Sequence, residues 1–259
     1  VTILRQNAEL RKDRIWNFSI PAWYAVLSDG SRFMTCPHAG PCAQVCYARN
    51  GTYRFPKVLA SHTRNLETYL ADPAGWVRTL AMELSSRRFR PTGEPRNLGT
   101  LPDSWLTAWA ENGGAAVRIH DTGDFFSEAY LRDWLEIARR VPDVLFYAYT
   151  KEVSLFRSVP EVNSLPNFRF LFSTGGLEDH LIDTETDRHA DVFPDEHAIV
   201  EAGYFSQSET DLLAVVAPAT RIGIPANNIP AFRKKLAGRR FSDLTSERVV
   251  ALRRRTNPA

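Results

Sequence analysis

Cysteine is scarce in this 259-residue chain: Cys36, Cys42 and Cys46 fall within eleven positions, and there are none elsewhere. An odd count in one clump excludes a disulfide framework and turns attention to metal or thiolate chemistry. Long apolar runs are also missing. Nothing approaches the roughly 18 residues a membrane-spanning helix needs, so no membrane partner is expected. The opening stretch, VTILRQNAELRKDRIW, lacks the apolar core of a signal peptide, and a reducing cytoplasm is the expected compartment. No Gly-x-Gly-x-x-Gly follows the first strand, which argues against an open dinucleotide-binding sheet. No internal repeat or linker-like shift in composition divides residues 1–259, so one domain is expected. Excess charge is absent too. The net charge is +2, and composition alone names no nucleic-acid partner.

What is present reads as an ordinary globular chain, 44% hydrophobic, 24% charged and 11% aromatic, which excludes disorder. Two β-leaning runs around Ser28-Asp29-Gly30 predict an N-terminal hairpin that delivers the chain into a cysteine loop at 36–46. Helical periodicity follows over 56–72, then over 74–86 behind the cap pair Asp72-Pro73, and a short helix begins at SWLTAWAEN. From residue 115 the chain alternates. Strands are expected at 115–123, 144–151 and 168–176, with an amphipathic helix over 127–141 capped by Ser127. Further strands are expected at 197–205, 212–219 and 220–226. A basic C-terminal helix over about 242–255 closes the chain. Apolar strands alternating with helices imply an α/β fold, and a full or partial (β/α) barrel of the TIM type fits the element count.

Two metals suit three clustered thiols. Zinc would take Cys36, Cys42 and Cys46 with His38 as fourth ligand, although structural zinc sites generally draw on two separated ligand pairs. An iron–sulfur cluster matches a single compact loop better, and three cysteines would leave one iron open or absent, giving [4Fe–4S] or [3Fe–4S]. The four-residue spacing of Cys42 and Cys46 places both on one face of a helix starting near Ala43. Free N–H groups at that helix start would favour thiolates.

Polar residues gather where the expected strands end, and in βα folds ligand-binding groups collect at the C-terminal ends of strands. RIHDTGDFF ends in His120, Asp121, Thr122, Gly123 and Asp124. YAYTK ends in Thr150 and Lys151. FLFSTGG ends in Ser173, Thr174, Gly175 and Gly176, whose backbone N–H groups would face a ligand. Asp124, Lys151 and His120 are the catalytic candidates: a base or ribose-binding carboxylate, an anion-binding ammonium, and a proton donor or fourth cluster ligand. His189 and Asp191, in TDRHADVFPDEHA, read as a solvated loop. SSRRFR, RKKLAGRR and LRRRTNP concentrate positive charge, so nucleic acid is a possible partner through the C-terminal basic segments.

The segments TCPHAGPCAQVCYARNGTYRFPKV, VRIHDTGDFFSEAYLRDW and YAYTK together resemble the actinobacteriophage family called gene product 88. That family is in turn similar to phage proteins described as radical-SAM-like. The resemblance covers about residues 5–230 and implies a host bacterial cytoplasm. Through the second family it implies a three-cysteine [4Fe–4S] cluster after the first strand. Its open iron would bind S-adenosylmethionine, and the substrate would be a small molecule or macromolecule. Tyr47, beside the last cysteine, and the strand-end residues above form the implied cofactor-binding set. This chain departs from the usual Cys-x3-Cys-x2-Cys pattern with Cys-x5-Cys-x3-Cys, and its nearest Gly-Gly-Glu-like segment, TGGLE, lies late. A cluster protein that binds no S-adenosylmethionine, with a redox, sensing or structural role, is the alternative.

Overall fold

The computed structural model describes residues 2–244. In chain order its strands are β1 (Ile15–Phe18), β2 (Tyr24–Val26), β3 (Arg32–Met34), β4 (Ala116–Ile119), β5 (Leu145–Thr150), β6 (Phe168–Ser173), β7 (His189–Phe193), β8 (Phe205–Ser206) and β9 (Arg221–Pro225). Its α-helices are α1 (Ala8–Lys12), α2 (Cys42–Val45), α3 (Pro56–Ala71), α4 (Pro73–Leu84), α5 (Ser104–Glu111), α6 (Glu128–Arg140), α7 (Val153–Ser158), α8 (Glu196–Glu201), α9 (Leu213–Val216) and α10 (Pro230–Leu236). Seven strands form one parallel sheet in the order β1-β4-β5-β6-β7-β9-β8, while β2 and β3 pair as a separate antiparallel hairpin.

The sheet is buried on both faces, which is why its strands read as apolar runs. In register, Trp16, Val117 and Phe146 fall on one face, and Ile15, Ala116 and Leu145 on the other. The first face packs under α3, α4, α6 and α7 through Leu66, Trp76, Trp134 and Phe156. The second packs under α1, α5 and α9 through Leu10, Trp109 and Val216. Local signals start the helices: Asp72 accepts from Gly75 N at 2.8 Å, and Ser127 from Tyr130 N at 3.2 Å.

The expected full or partial TIM-type barrel is corrected to this parallel sheet. Among the described residues no pairing joins β1 to β8. The outer side of β1 is instead bonded to the N-terminal segment: Arg5 and Asn17 exchange backbone bonds of 2.9 and 2.7 Å in an antiparallel bridge. That bridge occupies the outer edge of β1 at Asn17. The other end terminates in the two-residue β8.

Three element assignments also change. LLAVVAPA, expected as a strand, contains α9, because a short, wholly apolar run carries no period to separate strand from helix. HAIVEAGYF divides into α8, capped by Asp195, and β8. The supposed loop at 189–193 is the buried strand β7. The basic helix expected over about 242–255 lies, beyond Leu244, outside the described residues.

Trp134 is fully buried, its ring centroid 5.1 Å from Trp76 and 5.4 Å from Phe18. Trp134→Ala is expected to lower stability by about 3–5 kcal/mol, read as a shifted urea unfolding midpoint at unchanged slope. A loss under about 1 kcal/mol would mean that this helix–sheet contact is not the core.

Candidate functional site

The cysteine loop is held to the strand ends at several points. The hairpin returns at Trp23, a non-glycine residue with φ of +69°, whose carbonyl accepts from Thr35 N and Cys36 N at 2.9 and 3.2 Å. The N–H of Trp23 points at Cys36 Sγ, 3.2 Å away. Thr35 O accepts from Asp124 N at 3.0 Å, tying the loop to the end of β4. His38 N donates to Glu152 Oε1 at 3.0 Å, just after β5. Cys42 N donates to Gly175 O, and Leu177 N to His38 O, both at 2.9 Å, just after β6. Gly40 makes this approach possible. Its φ is +51°, and a Cβ there would lie 2.8 Å from the Gly176 carbonyl carbon.

These bonds correct one expectation. The helix start does not present free N–H groups, because Cys42, Ala43 and Gln44 donate to Gly175, Gly40 and Pro41. Nor does the helix carry both cysteines: α2 ends at Val45, and Cys46 is its C-cap with extended ψ of 122°. The two thiols nevertheless meet.

All three cysteines line one cavity of about 980 Å³. A hydrogen bond from Cys46, aided by the Lys151 ammonium, lowers the Cys42 thiol to about 7 against the cost of burial. Burial and the Asp124 carboxylate push Cys36 up. The bond it makes with Cys42, followed by burial, pushes Cys46 up. Among the described residues no three His, Cys, Asp or Glu side chains converge tightly enough to hold a single metal ion. His38 is not turned toward the thiols as a fourth ligand. Its Nδ1 lies 2.5 Å from Glu152 and its Nε2 3.5 Å from Glu178, and it does not line the cavity.

The polar strand-end residues divide into those facing the cavity and those consumed by the frame. Asp124 lines the cavity but is buried. Its carboxylate accepts from Thr150 Oγ1 (2.7 Å), Phe125 N (2.8 Å) and Lys151 N (2.9 Å). These bonds make it a bracket between the ends of β4 and β5. Thr150 therefore points at Asp124, and Thr174 points at Asp191 at 2.7 Å; neither lines the cavity. The N–H groups of Gly175 and Gly176, expected to face a ligand, both donate to Asp179 at 2.7 Å. Lys151 Nζ bonds Ser173 Oγ and Thr174 O at 2.8 Å, which fixes its charge beside Cys42. His120 is buried among Phe125, Tyr130 and Trp134, and burial alone lowers its pKa to about 3. Burial therefore favours its neutral form, and it lines the cavity with Nδ1 unpartnered.

Asp121, Thr122, Gly123, Ser173 and Tyr47 line the cavity with a group the sequence reading missed. Arg118, in mid-strand on β4, lies 3.2 Å from Asp211 and 3.7 Å from Asp121, with its guanidinium 4.9 Å over the Tyr149 ring. Burial opposes its charge, but Asp211, Tyr47 and Asp121 outweigh burial and raise its pKa. Tyr53 donates to Asp121 at 3.0 Å, and the Tyr149 hydroxyl lies 2.9 Å from Asp211 and 2.8 Å from Gln207. The signal was available: one arginine in AAVRI, inside a strand buried on both faces, requires a partnered or functional charge. His189 and Asp191 are also fully buried, not solvated. Asp191 accepts from Thr174 Oγ1 at 2.7 Å and from Ser242 Oγ at 2.6 Å.

The sequence profile described as Gene product 88 matches residues 2–251. The chain belongs to the Gene product 88 family. No curated protein and no solved structure matches it, so the family assignment stands without a radical-SAM relative beside it. Among its described residues no helix is long and apolar enough to cross a membrane.

The His38–Glu152 pair gives this chain a pH signature. Burial and the nearby Asp124 raise Glu152 to about 7; burial opposes the charge of His38, but Glu152 and Glu178 outweigh it and raise His38. The folded chain therefore holds a proton that the unfolded chain releases at lower pH. Stability falls as pH rises from about 4.5 through about 7. Glu152→Gln is expected to flatten that slope in chemical unfolding of metal-free protein; an unchanged slope would assign the pH dependence elsewhere.

Proposed function

We propose that this chain is an iron–sulfur protein in which Cys36, Cys42 and Cys46 hold one cluster at the wall of a ligand-binding cavity. The observation that carries the proposal is the convergence of every thiol in the chain on one wall of a single cavity, beside one fixed ammonium. The donor set fits this group. Thiolates 2.3 Å from one tetrahedral zinc sit within about 3.8 Å of one another, whereas a cluster spreads them more widely. The engagement of His38 by two carboxylates, which leaves zinc without its fourth candidate ligand, favours the cluster. When bound, a three-cysteine cluster supplies one-electron transfer and one iron open to a small ligand.

The chain's own residues then have distinct tasks. Lys151 balances negative charge next to Cys42 and is held there by Ser173 and Thr174. Asp121, Asp211 and Arg118 present two acceptors and a partnered cation to a polar ligand, with Tyr149 as a flat wall. The about 980 Å³ cavity favours ligand chemistry over a purely structural cluster, which needs no such space. S-adenosylmethionine is implied by the resemblance alone and enters as one arm of the test.

The test is anaerobic reconstitution with iron and sulfide. About four irons per chain are expected, three in the [3Fe–4S] case, with loss of the cluster's visible absorption in Cys42→Ser. Electron paramagnetic resonance of the reduced protein, recorded with and without S-adenosylmethionine, reports whether that molecule reaches the open iron. Stoichiometric zinc, or iron retained by Cys42→Ser, would contradict the proposal.

A further inference from the structure

The charge of this nearly neutral chain is unevenly placed around the cavity. From Gly30 to Leu66 there is no Asp or Glu but five cations, and from Leu212 to Ser242 again none but six. The fold brings these two acid-free segments together. Tyr47 meets Phe232 with ring centroids 6.2 Å apart, a Cβ on Gly51 would touch Ile229 at 3.8 Å, and Val45 shares an apolar cluster with Phe232, Leu236 and Phe241. Both segments line the cavity, the first through Tyr47 and Tyr53, the second through Asn228 and Arg233. Arg54, Lys57, Lys234 and Lys235 do not line the cavity but flank the lining residues Tyr53 and Arg233 in sequence; they are exposed, and among the described residues none forms an ion pair. Between the first two stands Phe55, 58% exposed at the start of α3. The far wall, α1 with residues 207–211, is net negative: Glu9, Asp13, Glu209 and Asp211 stand against one cation, Lys12, which pairs with Glu9.

We infer that this cationic lip docks a single-stranded nucleic acid, with its phosphates on Arg54, Lys57, Lys234 and Lys235 and a base directed into the cavity. Unpaired cations interleaved with an exposed aromatic are what single-strand binding requires: charge tracks the backbone and the ring stacks a base. The acidic far wall repels phosphate, so the backbone stays at the lip while an uncharged base passes it. Inside, Asp121 and Asp211 accept hydrogen bonds of the kind exocyclic amines donate, beside the Arg118 guanidinium that lies over the Tyr149 ring. An anionic membrane fits less well, because the exposed positions of α10 carry no large apolar side chain and the acidic wall would face the bilayer. This inference rests on charge and aromatic placement and stands whether or not the cluster forms.

The test is fluorescence anisotropy of the full chain with labelled single-stranded DNA and RNA oligonucleotides across a salt series. Four phosphate contacts predict a log–log salt slope of about −3, and the double variant Lys234→Glu, Lys235→Glu should flatten it by about 1.4. Phe55→Ala should weaken binding about five-fold or more at an unchanged slope, which separates stacking from charge. All three positions are exposed, so folding is not at stake. The inference is overturned if no oligonucleotide binds at low salt or if the lip variants bind as the parent does. It is also overturned if affinity depends on Arg253, Arg254 and Arg255, replaced together by alanine, or if phosphatidylserine vesicles bind where oligonucleotides do not.

Discussion

One buried carboxylate links the separate parts of the candidate site. Asp124 follows β4, accepts from Thr150 and Lys151 at the end of β5, and through its own N–H holds Thr35 at the entry to the cysteine loop. A carboxylate out of water is costly unless donors surround it, so these bonds form together or the strand ends separate. Each bond also aims a neighbour. The Lys151 backbone is fixed so that its ammonium reaches Ser173 and acts on Cys42. Thr150 Oγ1 receives Glu152 N at 3.1 Å, and Glu152 in turn grips His38. The cysteine loop is thus positioned by the sheet rather than by its own short helix.

The parallel sheet places these ends on one rim because neighbouring strands run the same way from β1 to β9. The loop after β1, the bracket after β4, the lysine after β5 and the glycines after β6 therefore open onto the same space. Asymmetry follows from which chain segments flank it. The acid-free segments cover the cysteine side, while α1 and residues 207–211 bring carboxylates to the other.

Much of this was legible in the residues. The hairpin around Asp29-Gly30, the helices behind Asp72 and Ser127, and the strands ending at Ile119, Thr150 and Ser173 each announced themselves by turn, cap or period. The open order of the sheet was not legible, because strand pairing is non-local: even the bridge on the outer edge of β1 comes from Arg5, ten residues before β1 begins. The roles of the polar strand ends were half legible. Asp121 and Asp124 are three residues apart and chemically identical, yet one faces Arg118 and Tyr53 while the other is consumed by backbone donors. Only the register of β4 against β5 separates them. Arg118 and Asp211 lie 93 residues apart, and no local pattern pairs them.

The central claim is that three thiols, and no fourth protein ligand, hold a cluster against the cavity. Mössbauer spectroscopy of protein reconstituted with isotopically enriched iron tests this most directly. The account predicts that one iron of a four-iron cluster differs from the other three and changes its parameters when a small chelating ligand is added, or that a three-iron cluster forms. Four equivalent irons indifferent to added ligand, or a lone iron bound by thiolates, would contradict it.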